Sequence, residues 1–272
     1  MSSLIHSSLN SLSSQILIFL EEYKYPVLVT LSLPLIRLIY LDYRGWYNLG
    51  KGGLRHDPLG WMLQCILRMR CDRDVRSTQR YEEDINSSTL EAKSYLEDEL
   101  PHRKGKPPVT SIWVAPHRQM EQEASSAAKK ALNSVAPFLV SKNPTLLQIL
   151  PSKLEGGSPS LHLTPHATTL FLRASNAQGS KRDRSKPPMS PNEIFHVHNT
   201  EGSSHVILSA KDASLVIERG WGERHALAGR ALVPKTYLMV WAPRDEVEVE
   251  VLRMIVVAAA RYAVGSTEEI KT

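Results

Sequence analysis

At 272 residues the chain can hold one large domain or two small ones, and its 42% apolar and 22% charged residues are the composition of a globular protein with a real core. The formal charge of +5 suits an acidic substrate or an anionic membrane surface but specifies neither. Cys65 and Cys71 match no zinc or redox spacing and make no disulfide framework, so both read as free thiols in a reducing compartment.

MSSLIHSSLN carries no Lys or Arg, and no A-x-A-like site follows the next apolar run, so no signal peptide is expected. That run, PVLVTLSLPLIRLIYL over 26–41, is the most apolar stretch. As a helix it reaches roughly 24 Å, short of a ~30 Å hydrocarbon core. Pro34 and Arg37 interrupt it, and Arg37 could snorkel to an interface. Arg68, Arg70, Arg73, Arg76 and Arg80 follow; if the run spans, they place the remainder on the cytoplasmic side. A soluble helix or a monotopic anchor is the alternative. The expected division is 1–44, a membrane-associated hydrophobic helix region, and 45–272, a single further domain.

LGKGGLRHDPLGWMLQCILRM over 49–69 predicts a Gly-rich turn and then a helix. It lacks the Lys-Ser/Thr of a phosphate loop and no β-run precedes it. Residues 83–106 read as a solvated helix ending at Leu100-Pro101, and SIWVAP over 111–116 as a strand stopped by Pro116. RQMEQEASSAAKKALNSVAPFLV reads as one helix, and HATTLFLRA over 166–174 as a second strand. NAQGSKRDRSKPPMSPN over 176–192 has a loop composition, its basic cluster Lys181-Arg182-Arg184-Lys186 included.

EIFHVH and SHVILSA read as a hairpin around NTEGSS. KDASLVIERG predicts a short helix with Asp212 as N-cap and Gly220 at its C-terminal end. TYLMVWAP predicts a strand, and RDEVEVEVLRMIVVAAARYAVG the C-terminal helix. Strands and helices mix without βαβ alternation, which predicts an α+β fold: a mainly antiparallel sheet with flanking helices, preceded by the N-terminal hydrophobic helix.

Four of the ten histidines, His196, His198, His205 and His225, fall in this last region. His196 and His198 share a strand face, and the hairpin brings His205 near them. A metal site begins this way. Against it, Glu193 is expected on the opposite strand face and Glu201 in the turn. The second reading is a cofactor-free base and oxyanion site, with a neutral histidine taking an enol proton and Arg244 or another histidine holding the anion. Trp221 and Trp241 could wall a pocket for a planar substrate. The third reading is ordinary hydrogen bonding across a sheet.

HVH, SSH, ERGWGERHALAG and VWAPRDEVEVEVLRMIV together resemble the signature of the fungal luciferase family, as do LPLIRLIYLDYRGWYNLGKGG and LPHRKGKPPVTSIWVAPHRQ. His196 and His198 match its HxH, His205 its hairpin histidine, Gly220, Trp221 and His225 its GWxxxH, and Ala242, Pro243 and Arg244 its APR. Ala226 stands where the family usually has Pro. The resemblance implies oxygenation of a 3-hydroxy-α-pyrone such as 3-hydroxyhispidin, with O₂ as co-substrate, no cofactor and no metal. Catalytic roles then fall to His196, His198, His205, His225 and Arg244, and substrate binding to Trp221 and Trp241. The expected partners are a phenolic pyrone and a membrane, endoplasmic reticulum with the catalytic domain cytoplasmic, and no nucleic acid. The rival readings are a metal-dependent oxygenase or hydrolase and a non-catalytic small-molecule-binding homologue.

Overall fold

The computed structural model describes residues 14–15, 18–19, 21–169, 193–230 and 233–272. The basic cluster at 181–186 and the end of HATTLFLRA lie outside them. The chain forms two units, 1–48 and 49–272.

In the first unit, α1 (Lys24–Asn48) runs 25 residues. At 1.5 Å per residue it reaches roughly 37 Å, longer than the apolar run alone suggests, so it is long and apolar enough to cross a membrane. Pro34 lies inside it. Its Thr30 and Ser32 hydroxyls are met within the helix: Thr30 Oγ1 donates to the Pro26 carbonyl at 2.8 Å, and Ser32 Oγ to that of Val29 at 3.0 Å. Leu28, Leu31, Leu35 and Leu38 are all exposed.

The second unit is built on a six-stranded antiparallel sheet ordered β1-β2-β3-β4-β6-β5. Its strands are β1 (Leu147–Pro151), β2 (Pro159–Leu163), β3 (Glu193–Val197), β4 (Ser204–Ile207), β5 (Gly222–Arg224) and β6 (Tyr237–Val240). The helices are α2 (Pro58–Met69), α3 (Glu82–Ser87), α4 (Thr89–Ala92), α5 (Ser126–Lys142), α6 (Ala210–Glu218) and α7 (Glu246–Val264). The α+β expectation, with an antiparallel sheet and an N-terminal apolar helix, is met.

Helices α5 and α7 cover one face of the sheet. Leu132 and Leu139 of α5 and Leu252 and Ile255 of α7 join Leu161, Phe195, Val206 and Leu238 of the strands in one core. Each large side chain buried there contributes ~1.5–3 kcal/mol. Ala258, Ala259 and Ala260 are fully buried, small enough for α7 to lie close against its neighbours. Asp245 caps α7 by accepting from Glu248 N at 2.9 Å, and Gly265, at φ 82°, ends it.

Several local expectations need correction. SIWVAP is not a strand: it bends between the single bridge Thr110↔Gln119, because Ser111 Oγ binds the Trp113 carbonyl and Pro116 has no N–H to offer a ladder. Residues 83–106 are not one helix. Ser88 ends α3 and caps α4 by accepting from Glu91 N, and Tyr95 N then turns to the buried Asp212 carboxylate at 2.8 Å. Asp212 is therefore an anchor for that segment, and Ser209 is the N-cap of α6. The helix read from Arg118 starts only at Ser126, capped by Ser125. Residues 165–169 are helical rather than extended, with Thr164 Oγ1 accepting from Ala167 N at 3.2 Å.

Candidate active site

Cross-strand register decides which polar side chains meet. His196 pairs directly with His205 across β3 and β4, and both rings stand on the face opposite the core. His198 sits one residue past β3, where its backbone closes the turn to Ser203 and Gly202 adopts φ 89°. A side chain at Gly202 would also collide with Ala124, 2.7 Å from the Cβ position. Ring centroids of His198 and His205 are 4.8 Å apart, of His196 and His205 5.3 Å, and of His205 and His225 5.4 Å. The four histidines noted in the sequence thus form one buried cluster.

Glu193 joins them, which corrects the expectation that it points away. Phe195 pairs with Leu161, but Glu193 pairs with His162, so β3 carries one extra residue against β2. This bulge turns Ile194, Phe195 and Val197 all into the core and returns Glu193 to the histidine face. Glu193 Oε1 lies 2.5 Å from His196 Nδ1 and accepts from Ser152 Oγ at 2.8 Å. His162 stands on the same face, its Nε2 3.9 Å from Glu193 Oε2.

Two loops from outside the hairpin complete the cluster. In the β1–β2 loop, Ser152 Oγ accepts from the backbone N–H groups of Leu154 and Glu155, which sets Glu155 over the sheet. Arg118 binds Glu155 Oε1 at 2.5 Å, and Glu155 Oε2 lies 3.8 Å from His198 Nε2. The segment around the cis Ala115–Pro116 peptide delivers His117 and Arg118. Gly52 lets that segment close, since a Cβ there would lie 2.7 Å from Pro116 Cβ. His117 Nε2 is 3.2 Å from Glu223 Oε1, and Arg76 binds the other Glu223 oxygen at 3.1 Å.

Hydrogen bonding assigns the tautomers. A carbonyl only accepts, so His205 Nδ1, 2.9 Å from the Leu238 oxygen, carries its hydrogen. His198 Nδ1 is held at 2.8 Å by Glu201 Oε1 and at 2.8 Å by Ser203 Oγ. His225 Nδ1 instead accepts from Leu227 N at 3.1 Å. His196 Nε2, His198 Nε2 and His117 Nδ1 are buried without a hydrogen-bond partner. One ring nitrogen from each of His196, His198 and His205 lies within 4.8 Å of the other two; His117, His205 and His225 form a second such group.

Burial above all, joined at His198 by the Arg118 guanidinium, holds the imidazoles of His198, His205 and His225 well below their usual pKa, so these rings are neutral. Burial pushes Glu155 up despite Arg118. Burial also raises Glu193 and Glu223, but hydrogen bonds from His196 and Ser152 at Glu193, and from His117 and the Arg76 guanidinium at Glu223, outweigh it and leave both below the ordinary value. Burial lifts Tyr237 well above 10, keeping its hydroxyl protonated; its ring stacks on His205 at 4.5 Å.

A cavity of about 250 Å³ opens onto this cluster. Leu54, Leu63, Leu67, Ile207 and Leu227 make its walls apolar, and His117, Arg118, Glu155, Glu193, His205, His225 and Tyr237 line its polar end. Apolar walls with a few convergent polar groups are the usual form of a small-molecule site.

Trp221, Trp241 and Arg244 are not among its lining residues. Trp221 belongs to the apolar core, and its Nε1 donates to the Pro101 carbonyl at 2.6 Å. Trp241 is buried, its ring under Arg76. Arg244 is tied to Glu248 at the start of α7, a carboxylate that Arg103 also binds at 3.2 Å. Sequence reasoning missed His117, Arg118, Glu155, Glu223 and Tyr237. The alternation of Ser160 and His162 with Leu161 and Leu163 in PSLHL was a legible signal for β2; nothing local marks His117.

Residues 191–259 match the family model of the Luciferase domain, a span holding β3 to β6 and all four predicted histidines. The chain is 27% identical over 239 residues to a luciferase of Neonothopanus nambi, covering 85% of this chain and 82% of that protein. It is also 27% identical to luciferases of Armillaria gallica, covering 86% of the chain and 83% of the relative, and of Armillaria ostoyae, covering 85% and 83%. No solved structure matches. The chain therefore carries a match to the Luciferase domain and is similar along most of its length to the luciferases of luminous fungi.

Proposed function

We propose that the protein is a luciferase-like oxygenase that uses O₂ to oxidise and decarboxylate a 3-hydroxy-α-pyrone of the 3-hydroxyhispidin type, with or without light. The observation that carries this reading is the apolar cavity ending on buried neutral imidazoles beside Arg118 and Tyr237. A planar phenolic ring system is held by the leucines, and its acidic enol reaches the polar end. His117 is the base. Glu223 accepts from its Nε2, so its buried Nδ1 lone pair is free to take the enol proton. Glu223 and Arg76 position that ring. The enolate then gives an electron to O₂, the radicals recombine to a peroxide, and loss of CO₂ from its cyclic form leaves a ring-opened keto acid.

On the same reading, α1 anchors the chain in the endoplasmic reticulum membrane, with the catalytic unit on the cytoplasmic side and no nucleic-acid partner. Its length, its apolar exposure and its internally bonded Thr30 and Ser32 hydroxyls support this. The test is incubation of the full-length protein with 3-hydroxyhispidin and O₂, recording photons and product mass. A product carrying added oxygen and lacking CO₂ is expected. Unchanged substrate, from this and from related pyrones, overturns the reading.

A further inference from the structure

We propose that His196, His198 and His205 form the ligand set of a divalent first-row transition-metal ion, bound through their Nε2 atoms. The cofactor-free alternative drew on the absence of a carboxylate from the histidine face, and the bulge at Ile194 removes that premise. Each of the three rings has its Nδ1 engaged by an oxygen acceptor: Glu193 for His196, Glu201 for His198 and the Leu238 carbonyl for His205. This is the outer layer that fixes ring orientation and tautomer at histidine metal sites, leaving every Nε2 lone pair free.

One ring nitrogen from each of the three rings lies within 4.8 Å of the other two, and the Nε2 lone pairs of His196 and His198 are buried with no donor to meet them. A lone pair buried without a donor is costly, and a cation removes that cost. The surroundings also favour positive charge, since Glu155, Glu193 and Glu201 stand around the rings against the single guanidinium of Arg118. Imidazole donors select ions such as Zn²⁺, Fe²⁺ or Cu²⁺ over Mg²⁺ and Ca²⁺.

The second triad is less complete. His225 Nδ1 accepts from Leu227 N, and its ring also bonds the Val114 backbone, so neither nitrogen is spare. His117 keeps its Nδ1 for the base role. Three protein ligands leave positions open on the ion. His205, Glu155 and Glu193 line the cavity, so the ion would sit at its floor, with Glu155 Oε2 placed as a fourth donor. The binding claim stands independently of the oxygenase reading.

The test uses the full chain, stripped with chelator, dialysed, and titrated with Zn²⁺ and separately with Co²⁺. One equivalent per chain is expected, with visible d–d bands from bound Co²⁺ and a rise in the thermal midpoint. His198→Ala and His205→Ala should each cut bound metal at least tenfold, while His225→Ala keeps the full equivalent. The Co²⁺ spectrum of the wild type answers the question even if a variant fails to fold. Failure of the wild type to bind, undiminished binding in both ligand variants, or loss confined to His225→Ala overturns the site. Pyrone turnover by a wild type that takes up no metal overturns the site while leaving the oxygenase reading intact. Stoichiometric metal in a chain inert to every pyrone upholds the site and removes the oxygenase reading.

Discussion

Both faces of the sheet are buried, yet only one is apolar. Leu161, Phe195, Val206 and Leu238 point toward α5 and α7, while their strand neighbours Ser160, His196, His205 and Met239 point the other way. The first face gains by close packing and leaves no polar group to satisfy. The second places at least five histidines and two carboxylates out of water, holds them with directed hydrogen bonds, and still leaves ring nitrogens unpaired. A sheet that needed only stability would be served by leucines on both sides. The contrast assigns folding to one face and chemistry to the other.

Substitutions that separate activity from stability test that division. The largest effect should come from His117→Ala, which removes the proposed base and should lower pyrone turnover by about 10²–10⁴-fold. Glu223 keeps Arg76 as partner, so the thermal midpoint should fall less than in any large-to-small core variant. Leu161→Ala, made one strand away on the apolar face, should do the reverse. It should cost about 2–5 kcal/mol in denaturant unfolding while the folded fraction keeps its turnover. Equal losses of activity and stability in both variants would erase the contrast.

Glu193→Gln probes the support beneath His196. If the metal is present, its affinity should drop about 10–100-fold in a competition titration, with little change in secondary structure. The smallest effect should be that of Arg244→Lys. This side chain is about one-third exposed and pairs with Glu248, which Arg103 also holds, so the change should cost only about 0–1 kcal/mol. Turnover should stay within about twofold, the size of effect usual away from a site. A collapse in turnover would bring Arg244 back into the chemistry.

The histidine cluster was legible because strand alternation is a local property. HVH sets two rings on one face, and the hairpin supplies His205 in direct register. Glu193 was misplaced because alternation assumes an unbroken pleat, and the bulge arises from pairing with β2, more than thirty residues earlier. The β1 run LQILP is short, lacks alternation and ends in a proline, so it offers little periodicity. His117, Glu155 and Glu223 come from separate parts of the chain and meet the cluster only through tertiary contacts. Trp221 carries a family motif and is nonetheless a core residue, its indole bonded to the Pro101 carbonyl. Residue type and motif mark a region; the side a residue faces depends on its strand's partners.

The central claim is that the polar face handles oxygen chemistry, and isotope labelling tests it most directly. The full-length protein is given the hydroxypyrone under ¹⁸O₂ in unlabelled water, and the product mass is read. The account predicts label from O₂ in the ring-opened product, formed with loss of CO₂. A product whose added oxygen comes only from water would make the site hydrolytic and contradict the account.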